Sequence, residues 1–159
     1  MAVMGWARAA RPLVFGFVLA GVAGVSLARA EEPLEVLGRL YTLPDPNVEA
    51  FHDPEIRPGF YTPRIDGLIR HQVDCVQKQY GMEDLDYDFI VPGQDYEIVG
   101  LRITLLSREG SRAKAEVAFT NFDEAISLTY DLESLGGHWL IDDVTYQGDR
   151  LSTLLETPC

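Results

Sequence analysis

RAKAEVAFTNFDEAISLTYDLESLGGHWLIDDVTY, residues 112–146, alternates apolar and polar side chains over most of its length. Ala113, Ala115, Val117 and Phe119 are interleaved with Lys114 and Glu116, and Ile126, Leu128, Tyr130 and Leu132 with Ser127, Thr129 and Asp131. A period of two is the mark of a strand, and one apolar face per strand means a sheet covered on one side only. Together with the preceding run, this predicts strands at 97–106, 112–121, 125–133 and 137–146, separated by SREGS, NFDE and SLGG. Links this short make neighbouring strands antiparallel.

Upstream the period becomes helical. Pro33 opens PLEVLGRLYT, with Leu34, Leu37, Leu40 and Tyr41 on one side. Thr62 is placed to cap a second helix with Pro63 in its first position, and Gly81 to end it. Ile65, Leu68, Ile69, Gln72, Val76 and Tyr80 follow its inner face. Between the two lies LPDPNVEAFHDPEIRPGF, whose prolines and aspartates predict an irregular connection with at most one turn of helix. GDRLSTLLE closes the chain as a short helix with Asp149 as its expected cap. Helices followed by an antiparallel meander give an α+β domain with the helices on one face of the sheet. Twist curves such a sheet into a cone with an open end.

The 159 residues carry a formal charge of −12. Arg8 and Arg11 precede the apolar run PLVFGFVLAGVAGVSLA, and Ala28-Arg29-Ala30 supplies small residues where a signal peptidase reads. Residues 1–30 are therefore expected to be a cleaved signal peptide, and 31–159 a single exported, periplasmic domain. Three of the 13 basic residues and none of the 25 acids fall in the leader, which leaves 10 against 25 and a mature charge of −15. A chain so acidic, without a basic patch, repels nucleic acid and anionic lipid. In an oxidising compartment the pair Cys75 and Cys159 reads first as a disulfide.

LDYDFIVPGQDYE, VAFTNFDEAISLTYDL and HWLIDDVTYQGDRLSTLL together resemble an uncharacterised family of bacterial exported proteins, a domain of unknown function in the nuclear transport factor 2-like superfamily. The resemblance spans residues 34–155 and implies the cone fold but no reaction, because that superfamily hosts enzymes, binding proteins and scaffolds alike.

Three constellations carry chemistry. MEDLDYDFIVPGQD, residues 82–95, spaces Asp84, Asp86 and Asp88 as a calcium loop does, but Phe89 stands where such a loop needs glycine. Asp86 and Asp88, with Gln94-Asp95, are read instead as backbone hydrogen-bonding groups where the chain leaves the second helix for the sheet. His71, Asp74 and Cys75 put a His and a Cys one helical turn apart, a spacing that suits zinc or an activated thiol; the disulfide competes for the same sulfur, and no metal or cofactor is assigned. Strand alternation carries Asp143 to the same side as Trp139 and Ile141, toward the interior of the cone. There it would be a general base, with Tyr130 as an oxyanion donor and Arg64 as a ligand-binding group, or else a structural partner of Arg64. The preferred reading is a non-catalytic domain for a small ligand or a periplasmic protein, able to meet a second copy through its sheet face. The alternative is an isomerase or dehydratase built on Asp143.

Overall fold

Pro33 begins α1 (Pro33–Leu40), at a position where its missing N–H costs no hydrogen bond. The structure, a computed structural model, describes residues 31–81, 88–93, 95–156 and 158. The leader 1–30, Asp84, Asp86, Gln94 and Cys159 lie outside them. Val36, Leu37 and Leu40 of α1 are fully buried, each stabilising the fold by roughly 1.5–3 kcal/mol relative to exposure. The helix ends before Tyr41, whose half-buried side chain packs against the core.

The irregular connection holds two helical turns where one at most was expected: a π-helical turn at Asn47–His52 and a 3-10 turn at Arg57–Gly59. Polar anchors shape it. The buried Asn47 carboxamide donates to the Val91 carbonyl at 2.8 Å and accepts from the Val91 N–H at 3.0 Å. Arg57, only 2% exposed, donates to Asp66 at 2.7 Å and to the Phe51 carbonyl at 3.0 Å.

Helix α2 (Pro63–Tyr80) has the expected ends. The Thr62 hydroxyl accepts from the Ile65 N–H at 3.4 Å, and Gly81, at φ 66°, takes the left-handed turn that only glycine adopts cheaply. Five strands follow: β1 (Ile98–Glu109), β2 (Arg112–Asn121), β3 (Glu124–Leu135), β4 (His138–Tyr146) and β5 (Asp149–Arg150). Their spatial order is their sequence order, and every pairing is antiparallel. The short β5 was not expected, and it takes Asp149 away from its predicted capping role; Arg150 precedes α3 (Leu151–Leu155) without a side-chain cap. The core lies between the inner face of the sheet and the helices: Ala115, Val117, Leu128, Tyr130, Ile141 and Val144 pack with Leu37, Leu40, Tyr61, Ile65, Ile69 and Leu155. The architecture is α+β, with amino-terminal helices on a five-stranded antiparallel sheet.

Strand β4 carries one irregularity. Asp131 pairs with Asp143 but Leu132 pairs with Ile141, which leaves Asp142 as an extra residue. Such a bulge reverses the facing of everything beyond it. The inner face of β4 is therefore Trp139, Ile141 and Val144, opposite Leu132 and Tyr130. Asp143 points to the other side of the sheet, alongside Asp131. The alternation that put Asp143 in the interior with Trp139 and Ile141 is broken by this one residue.

Candidate functional site

Asp143 is 1% exposed, covered by the returning chain of β5 and α3. Its carboxylate accepts from Arg150 Nε at 2.9 Å and Nη2 at 2.6 Å, from the Ser152 hydroxyl at 2.5 Å and N–H at 3.0 Å, and from the Val144 N–H at 2.9 Å. Burial alone would push its pKa up; the bonds from Ser152, Arg150 and Val144 outweigh burial and hold it below the usual carboxylate range. A general base at neutral pH needs the opposite shift and a route to substrate. What this carboxylate does is tie α3 to the sheet.

Arg64 is not its partner. The bulge sends Asp142, not Asp143, toward the start of α2, where its carboxylate accepts from the Thr62 hydroxyl at 2.9 Å and from Arg64 Nε at 3.2 Å. Arg64 is thereby committed to the bulge, on a surface where its side chain is 46% exposed.

Tyr130 is fully buried, with its phenol bonded to that of Tyr41 at 2.8 Å, and Tyr41 donates to the Ile90 carbonyl at 2.9 Å. Burial raises both phenols well above their ordinary pKa, and the neighbouring Tyr41 raises Tyr130 further. The Tyr61 hydroxyl, also in this interior, has no hydrogen-bond partner among the described residues. Its ring packs edge-on against Phe51 at 6.2 Å. The structure thus brings Tyr130 together with Tyr41 and Tyr61 and keeps it away from both Asp143 and Arg64.

His71, Asp74 and Cys75 line a hollow of about 150 Å³ on α2 together with Lys78 and Gln79. Among the described residues no three His, Cys, Asp or Glu side chains gather as a metal site requires. No described cysteine is free. The expected bridge from Cys75 ends at Cys159, outside the described residues.

A polar groove lies on the side of the sheet away from the helices. Two hollows of about 210 and 240 Å³ adjoin there, sharing Arg112, Ala113 and Asp131. Ser107, Glu109 and Lys114 line one of them, and Glu133, Asp142 and Arg150 line the other. Lys114 reaches Asp131 at 2.5 Å, and Arg150 bonds the same carboxylate at 3.1 Å while holding Asp143. Arg112 has no ion pair or side-chain hydrogen bond among the described residues, although Glu109 and Glu133 flank it on the neighbouring strands. Sequence reasoning missed Arg112, Arg150 and Ser152. The polar half of the alternation, Arg112, Lys114 and Glu116 against Thr129, Asp131 and Glu133, was the available signal for the groove.

No family model matches the chain, and no curated protein matches it in sequence. A solved structure of a phospholipid-binding protein from Ralstonia solanacearum, in complex with a phospholipid, is distantly similar: 16% identity, 76% of each chain covered and a TM-score of 0.34. A likeness of that degree leaves the chemistry of this chain to its own residues.

Proposed function

We propose that this chain is a non-catalytic binding domain, exported by removal of residues 1–30 and working in the periplasm, whose ligand or protein partner lies along the outer-face groove. The family kinship proposed with it is the nuclear transport factor 2-like one. The observation that carries the reading is the interleaving of Arg112, Lys114 and Arg150 with Glu109, Asp131 and Glu133 around two adjoining hollows. Charges of both signs on a shallow surface suit a zwitterionic small molecule or a peptide segment bearing both, and Arg112 is the member with a guanidinium to offer. In support, both residues on which an enzyme would stand have structural employment: Asp143 holds α3, and Tyr130 bonds Tyr41.

The test is affinity capture from periplasmic extract with the mature protein, followed by mass spectrometry of retained proteins and small molecules, run in parallel with Arg112→Glu. Wild-type capture of a defined molecule, lost in the variant, supports the groove. Capture that Arg112→Glu leaves unchanged places binding elsewhere.

A further inference from the structure

The two edges of the sheet are treated differently. Along β4 the edge is occupied. The Ile141 N–H donates to the Phe60 carbonyl at 2.7 Å, the Thr62 N–H donates to the Ile141 carbonyl at 2.9 Å, and β5 pairs with Thr145 and Tyr146. Strand β1 has no neighbour on its outer side among the described residues. Its 12 residues are exposed except for the half-buried Ile98 and Ile103. Val99 is 54% exposed, Leu101 38%, Leu105 41% and Leu106 51%. A long apolar edge with free N–H and C=O groups is a template for another strand.

We propose that β1 pairs antiparallel with β1 of a second copy of this chain, about a two-fold axis passing between Leu105 and Leu106. The second of two register shifts in β1, between Leu105 and Ser107, supplies the reason. In an unbroken strand, residues that face each other across such an axis must share parity, or their side chains would point to opposite faces. Here Leu105 pairs with Ala115 and Ser107 with Lys114, so Leu106 is extra and the facing reverses at that point. Arg102 and Thr104 therefore share the outer face with Ser107 and Glu109, while Ile103 and Leu105 share the inner face with Arg108.

The two-fold register then sets Thr104 against Ser107 and Arg102 against Glu109, each pair on one face. Neither Arg102 nor Glu109 has an ion-pair partner among the described residues, and the second copy provides one for each, twice over. Leu105 and Leu106 meet at the axis and leave water. Ile103 falls opposite Arg108, whose guanidinium lies 5.3 Å from the Trp139 ring centroid and bonds Glu32 at 2.7 Å, so its charge is already satisfied. This strand-to-strand seam is distinct from association through the flat of the sheet, and it does not rest on the groove reading.

The experiment is sedimentation velocity on the purified protein over the micromolar range, with Arg102→Glu, Glu109→Arg and the two combined, each first shown by circular dichroism to melt like wild type. The expected results are a wild-type dimer, a dissociation constant raised on the order of tenfold by either single reversal, and recovery in the double reversal, because two symmetric pairs turn from attractive to repulsive and back. Hydrogen exchange of the β1 amides should slow as protein concentration rises. A monomer throughout the range, or a dimer indifferent to the reversals, overturns the proposal, as does β1 exchange that ignores concentration. Arg102 lies outside the groove, so its reversal separates this outcome from any failure of ligand capture.

Discussion

Replacing Asp143 by asparagine removes one charge from a site where five hydrogen bonds converge on two oxygens. Asparagine keeps one acceptor and brings an NH2 group to face donors from Arg150 and Ser152, so at least one buried group is left unsatisfied. Losing one partner of a buried pair costs about 3–5 kcal/mol. The Arg150 side chain is 50% exposed and retains Asp131, which lowers the expected loss to about 2–4 kcal/mol. For a domain of this size that is a fall in Tm on the order of 10 °C. The pH dependence follows from the lowered pKa of the folded state: the stabilisation is fully present above the unfolded carboxyl value of about 3.9 and disappears as pH falls through the folded one. Urea titrations of wild type and Asp143→Asn should therefore differ most at neutral pH and converge under acid. Asp142→Asn is the control, since that side chain is 29% exposed and its loss should cost about 1 kcal/mol. Equal losses from the two variants, or a difference that persists at low pH, would refute the assignment of Asp143 as a buried tie between sheet and helix.

Tyr61→Phe should leave stability unchanged or raise it by about 1 kcal/mol, because the hydroxyl it deletes is buried without a partner among the described residues; thermal melts decide, and a clear loss would reveal a bond to that oxygen. Tyr130→Phe should cost about 0.5–1.5 kcal/mol by the same measurement, since Tyr41 keeps its bond to the Ile90 carbonyl. The proposed Cys75–Cys159 bridge encloses a long loop, so Cys75→Ser should destabilise by up to roughly 4–5 kcal/mol, and a thiol assay on exported wild-type protein should find no reactive group. Intact mass of the exported protein should place its first residue at Glu31; a retained leader would contradict the processing proposal.

The elements that were legible in sequence are those whose cause is local. Thr62-Pro63 and Gly81 mark the ends of α2 by chemistry that acts within one turn, and the alternation of β2 and β3 repeats often enough to set both faces. The bulge at Asp142 was hidden for a physical reason. It depends on what lies across from it, namely the return of Phe60–Thr62 to Ile141 and of Arg150 and Ser152 to Asp143, contacts that span up to 81 positions. Nothing in the composition of WLIDDV distinguishes an extra residue from a regular one. The candidate site inherited that error, since Asp143 was assigned a face by counting. The 3-10 turn at Arg57–Gly59 was missed in the same way, because its local backbone bonds are reinforced by the anchoring of Arg57 to Asp66 and the Phe51 carbonyl, which the local sequence does not announce.

Because strand order equals sequence order, each of the four hairpin steps of the sheet closes a short loop and can form from neighbours alone. The amino-terminal third has no such route. Its helices and the residues leading into them meet β4 and α3 through contacts such as Gln72 to the Leu155 carbonyl at 3.0 Å and the Trp139 N–H to Glu31 at 3.3 Å, which join residues 83 and 108 positions apart. A chain synthesised from its amino terminus delivers those helices before the surface they need. They wait, with their apolar faces uncovered, until the last strand has arrived, and that interval is when a chain of this design has the most apolar surface open to wrong contacts.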